Sequence, residues 1–190
     1  GDVNGDGYND LGFGEPYVDT AGPGSNGAIH IAFGGANGFP SAFNQSIQGP
    51  SPGSKMGFQM SAAGDVDRDG YDDVLIGARR RDNAAGNDSG AAFVVTGRPY
   101  TAEDENLQII CDTYYRLEGT QAAGWLGSAV VGMGDLNDDG CDEFAVGARL
   151  EDRTDDGRLL RDEGSIRVVY GFGAQGCLPG ARITRLATGD

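Results

Sequence analysis

Three stretches of this chain share one pattern: GDVNGDGYND from Gly1, GDVDRDGYDD from Gly64 and GDLNDDGCDE from Gly134. The shared form is Gly-Asp-apolar-[Asp/Asn]-x-Asp-Gly-x-x-[Asp/Glu], and its leading aspartates, Asp2, Asp65 and Asp135, recur at nearly equal intervals. Each copy leads into a short apolar run that reaches glycine: LGFG (Leu11–Gly14), VLIGA (Val74–Ala78) and FAVGA (Phe144–Ala148). Repetition at this period restricts the chain to equal units that stack or ring together.

The intervening material repeats as well. A polar loop is followed by GAIHIAFGG, GAAFVVTG or GSIRVVYG, then by a weaker run near SIQG, YRLEG or RLATG. MGFQMSAAG and LGSAVVGMG precede the second and third acidic stretches. Alternating or wholly apolar runs of four to eight residues between turn residues read as strands. The best helical candidate, TAEDENLQII at 101–110, is short. Each unit therefore holds four antiparallel strands, with the acidic loop between the first two. The fold class is all-β, and four-stranded units repeated radially are propeller blades. A solenoid competes, but its units usually have shorter periods and fewer strands. The expected units are an incomplete blade at 1–49, which lacks its first strand, and complete blades at 50–119 and 120–190. Closing a ring takes about four to eight blades. The expectation is a segment of a longer protein, or a ring completed by other chains.

The acidic loops place oxygen-bearing side chains at alternate positions, with a glycine that permits a tight turn. Such carboxylates repel one another unless solvated or neutralised by a cation. Calcium takes six to eight oxygens from carboxylates, amides and carbonyls, and tolerates irregular geometry, whereas magnesium demands a rigid octahedron. The expected ligands in the first loop are Asp2, Asn4, Asp6, the Tyr8 carbonyl and Asp10. In the second they are Asp65, Asp67, Asp69, the Tyr71 carbonyl and Asp73, and in the third Asp135, Asn137, Asp139, the Cys141 carbonyl and Glu143. An EF-hand would need Glu at position 12, where Phe13, Ile76 and Val146 stand. Asp/Asn/Gly clusters also form plain turns; three copies in register favour the cation. Tyr8 and Tyr71 are expected to pack beside their loops.

Charge narrows the partners. The net charge of −15 disfavours nucleic acid and anionic membranes, and three calcium ions would reduce it to −9. No apolar run approaches the roughly 20 residues of a membrane helix. Glycine is abundant, 34 of 190 residues, and it clusters where turns end strands rather than at a collagen period. Cys111, Cys141 and Cys177 fit no zinc spacing; a Cys111–Cys177 bridge is one possible pairing, and an odd count leaves one thiol over. No Ser-His-Asp set is visible, and the sole histidine, His30, is expected to pack inside its β-run. Asn44 and Asn87 head N-glycosylation triplets, and Trp125, in a glycine turn before a strand, is expected to pack between blades, with stacking on a sugar as the alternative.

These residues resemble the FG-GAP repeat, the blade unit of integrin α-subunit propellers and of many bacterial surface and secreted proteins. Met56-Gly57 and Leu126-Gly127 stand where the family has Phe-Gly; Gly14-Glu15-Pro16, Gly77-Ala78-Arg79 and Gly147-Ala148-Arg149 stand where it has Gly-Ala-Pro. Glu143 departs from the family's aspartate at the closing position. The resemblance implies a seven-bladed propeller with calcium in the loops between strands one and two, and partner binding on the opposite face. A calcium-binding extracellular or cell-surface adhesion module, non-catalytic and recognising protein or glycan, is the expected function. The partner face would comprise Glu15–Asn26, Arg79–Ser89, Arg149–Glu163, Gln48–Lys55 and Gly119–Gly124. A subunit of an extracellular fibre or surface layer, and the propeller part of a larger secreted enzyme, are the alternatives. Arg79, Arg80 and Arg81 form a basic cluster that suits an acidic partner or a solvated loop. Arg149, Arg153, Arg158 and Arg161 alternate with acids and read as a salt-bridged surface loop.

Overall fold

The computed structural model describes residues 1–19, 24–99, 114–155, 158–172 and 184–186. Thirteen strands and no helix occur among them. The helical candidate at 101–110 lies outside the described residues.

The first sheet orders β1 (Leu11–Glu15), β2 (Ala28–Ala32) and β3 (Gln45–Gln48) in sequence. The second orders β4 (Gln59–Gly64), β5 (Asp73–Ala78), β6 (Ala91–Val95) and β7 (Tyr114–Glu118). The third contains β8 (Leu126–Gly134), β9 (Glu143–Ala148), β12 (Ser165–Val169) and β13 (Thr184–Leu186). All pairings within these sheets are antiparallel, so each is a meander with the blade connectivity expected from the repeat. One departure lies within residues 149–163, read from sequence as a loop. A hairpin forms there from β10 (Arg153–Asp155) and β11 (Arg158–Leu160), with Arg153 opposite Leu160.

The sheets stack face to face, and strand periodicity divides the core. On β6, Ala91, Phe93 and Val95 join Ile29, Ile47, Met56 and Ile76 between the first two sheets. Ala92 and Val94 point the other way and join Leu75, Leu126, Phe144 and Val146 between the second and third. Successive side chains alternate between faces, so a strand covered on both faces must be apolar throughout. This is why GAAFVVTG carries no polar alternation.

Two register shifts position the acidic loops. β4 shifts between Ala62 and Gly64, and β8 between Gly132 and Gly134, immediately before Asp65 and Asp135. Bulges bend a strand and re-aim the residues beyond them. Gly64 and Gly134 take φ of 76° and 72°. A Cβ is unfavourable in that region. Among the described residues, no helix is long and apolar enough to cross a membrane.

Candidate metal centres

All three acidic loops adopt the same turn. Their fourth positions, Gly5, Arg68 and Asp138, have φ of 73°, 58° and 59°. The first aspartate then accepts amide hydrogens from across the turn. Asp2 accepts from Asp6 at 3.1 Å and Gly7 at 2.8 Å, and Asp65 from Asp69 at 3.0 Å and Gly70 at 2.9 Å. Asp135 accepts from Asp139 at 3.1 Å and Gly140 at 2.8 Å. The fifth-position aspartates accept the Tyr8, Tyr71 and Cys141 amides at 2.9, 3.0 and 3.0 Å. These bonds hold the loop in a fixed ring while leaving carboxylate lone pairs free.

The ninth-position acids close the ring and tie it to the sheet. Asp73 accepts the Val66 amide at 2.9 Å and the Gly97 amide at 2.8 Å. Asp10 receives Val3 at 2.8 Å and Gly34 at 2.9 Å, and Glu143 receives Leu136 at 2.7 Å and Gly171 at 3.3 Å. The longer Glu143 arm thus makes the same bridge as the two aspartates.

The second loop carries the densest cluster. Carboxylate oxygens of Asp65, Asp67 and Asp73 lie within 4.8 Å of one another, the one such cluster among the described residues. Asp67 Oδ1 is buried and has no hydrogen-bond partner, and Asp73 is fully buried. Burial raises the carboxyl of Asp73 to about 8, despite the Gly97 and Val66 amides that lower it. Desolvation also raises Asp67 and Asp10, reinforced by neighbouring aspartates. An orphaned buried oxygen beside two carboxylates, in an all-oxygen donor set, fits a hard divalent cation. Asp69 stands outside the cluster. In the other loops the third position is an amide held internally. Asn4 Nδ2 donates to Asp6 at 3.1 Å and Asn137 Nδ2 to Asp139 at 3.0 Å.

Several functional contacts were not read from sequence. The eighth-position acids were treated as variable, yet Asp72 accepts the Asp2 amide at 2.7 Å and Asp142 accepts the Asp65 amide at 3.0 Å. The return bonds, Asp72 N–H to Asp2 O and Asp142 N–H to Asp65 O, measure 3.1 and 3.0 Å. The first loop is thereby stapled to the second and the second to the third; the paired acids in YDD and CDE were the available signal. Arg68 also leaves its loop, donating to the Asp139 carbonyl at 3.2 Å. The Tyr71 ring lies over Gly5 of the first loop, and Tyr8 is exposed. Cys141 is disulfide-bonded; Cys111 and Cys177 lie outside the described residues.

His30 packs as expected, against the Phe13 and Phe43 rings. His30 also joins two polar side chains that were not read from sequence. Ser46 Oγ lies 2.8 Å from His30 Nδ1, and Glu15 lies 3.1 Å from Nε2, because adjacent strands align the three.

Residues 57–95 match the sequence pattern described as FG-GAP repeat. The chain belongs to the FG-GAP repeat family. It is 32% identical to integrin alpha pat-2 of Caenorhabditis elegans over 189 residues, covering 90% of this chain and 15% of that protein. Integrin alpha-IIb of Mus musculus is 39% identical over 79 residues, 41% of this chain and 7% of its own length. Phosphatidylinositol-glycan-specific phospholipase D of Rattus norvegicus is 30% identical over 120 residues, 63% of this chain and 14% of its length. The chain thus spans only a small part of each of these curated relatives.

The FG-GAP glycines have a packing role. A Cβ on Gly14 would collide with the Gly57 carbonyl oxygen, and one on Gly77 with that of Gly127. Gly14 on β1 therefore faces Gly57, just before β4, and Gly77 on β5 faces Gly127 on β8.

Proposed function

We propose that this chain is a calcium-stabilised, non-catalytic propeller segment of an extracellular adhesion protein. Each loop would hold one ion through the five positions named above, including the carbonyls of Tyr8, Tyr71 and Cys141. The observation that carries this reading is the buried, unpartnered Asp67 Oδ1 among three carboxylates within 4.8 Å. Bound calcium would neutralise these charges and brace the hairpin between a blade's first two strands, so that binding free energy becomes folding free energy. Extracellular calcium modules work at dissociation constants of about 10⁻⁴–10⁻³ M, which suits a calcium-rich compartment outside the cell. The face opposite the acidic loops would meet a protein or glycan partner. Similarity to the phospholipase D supports a second reading, a non-catalytic propeller attached to a secreted enzyme.

Isothermal titration of chelator-treated protein with calcium tests the reading. Three sites are expected, and Asp67→Asn together with Asp73→Asn should remove the second. Absence of calcium binding at millimolar concentration would refute it.

A further inference from the structure

We propose that Arg79, Trp125 and Arg149 form a docking surface for a carboxylate-rich protein segment. The proposal rests on the reading of the face opposite the acidic loops as the partner face, and it names the partner's chemistry. Arg79 follows β5, Arg149 follows β9 and Trp125 precedes β8, so all three sit at the blade ends away from those loops. Adjacent blades bring them together. The Arg79 guanidinium carbon lies 3.6 Å from the Phe58 ring centroid and 5.1 Å from that of Trp125. That of Arg149 lies 5.6 Å from the Trp125 centroid.

What marks these two arginines is that they carry unspent charge. Nearby acids are already engaged: Asp88 by Arg80 at 3.1 Å, Glu118 by Arg81 at 2.6 Å and Glu151 by Arg167 at 2.7 Å. Neither Arg79 nor Arg149 forms an ion pair among the described residues, and Arg79 Nε is buried without an acceptor. A protein with net charge −15 that leaves two neighbouring guanidiniums unpaired offers a site for external carboxylates. Aromatic stacking uses the guanidinium face and leaves its N–H edge for planar, bidentate carboxylate binding. Trp125 already carries two guanidiniums, which disfavours a sugar stacked on its ring. Charge on the acidic-loop face is screened within a Debye length, about 8 Å at physiological salt.

Trp125 is the only tryptophan, so its fluorescence reports on this surface alone. The folded protein, held in about 2 mM calcium, is titrated with an end-capped hexapeptide of alternating aspartate and glutamate. Saturable change in Trp125 emission is expected, weakening as salt rises. Arg79→Gln and Arg149→Gln should each weaken binding about fivefold or more. Arg98→Gln removes the same charge from an exposed residue at the acidic-loop end of β6 and should change it less than about twofold. Melting curves verify that each variant is folded. Three outcomes overturn the proposal: no emission change at about 5 mM peptide, a concentration at which even millimolar affinities register; equal weakening by Arg98→Gln; or tighter, arginine-dependent binding of a heparin octasaccharide. In each case, calcium-dependent melting that persists leaves the propeller reading standing, whereas its loss defeats that reading instead.

Discussion

Asp73 shows how burial and cation binding oppose each other at a single residue. Its carboxyl is held at about 8 in the fold, against an unfolded value of about 3.9. Between those values the cation-free folded protein keeps a proton that the unfolded chain has released. Stability therefore falls as pH rises through this window, and below about pH 4 the penalty vanishes because both states are protonated. Asp10 and Asp67 are raised as well and act in the same direction. In chelator, the melting midpoint should drop between about pH 5 and pH 8. Calcium replaces the proton and should abolish that drop; a flat profile in chelator would contradict the assignment. Asp142 offers a second test at this scale, because its carboxylate receives the Asp65 amide. Asp142→Ala leaves that amide without its acceptor and should cost about 1–2 kcal/mol in urea unfolding, whereas Asp142→Asn keeps an acceptor and most of the stability.

At the scale of elements, stability resides where blades meet. Gly77 on β5 abuts the Gly127 carbonyl on β8, so Gly77→Ala must push two sheets apart. A loss of about 1–3 kcal/mol is expected in denaturant unfolding. Gly35→Ala, where a Cβ meets only the Gly38 oxygen at 3.8 Å, should be nearly neutral. The Arg167–Glu151 pair is a second inter-element lock, with residue exposures of 2% and 3%. Arg167 on β12 also donates to the Glu118 carbonyl at the end of β7 at 3.1 Å, joining the second and third sheets. Arg167→Met strands a buried carboxylate and should cost about 3–5 kcal/mol; adding Glu151→Leu should restore much of it. Equal losses in the single and double variants would mean that packing, not charge, makes the contact.

For the whole molecule, the acidic loops are links in a chain rather than separate sites. Reciprocal bonds join the first loop to the second through Asp72 and the second to the third through Asp142. Filling one loop should therefore stiffen its neighbours. With a dissociation constant near 10⁻⁴ M and calcium at about 2 mM, each ion adds roughly 1.8 kcal/mol. Three sites should shift the melting midpoint by well over ten degrees if they act together. A shift of a degree or less on adding chelator would show that the loops fold without cation.

The sequence alone determined the strand meander, the all-β blade and the position of every acidic loop, because each follows from local periodicity and turn chemistry. GAAFVVTG reads as a strand from its apolar run between turn residues, whereas the cover on both its faces is seen only in the packed sheets. The tertiary structure decided the rest. Asp72 and Asp142 become staples only because packing sets each against an amide of a neighbouring blade, far away along the chain. The Ser46–His30–Glu15 chain, the β10–β11 hairpin and the stacking of Arg79 on Trp125 likewise depend on register or on neighbouring blades. Short-range pattern specifies which groups a strand or turn presents; only the packing of sheets specifies what those groups meet.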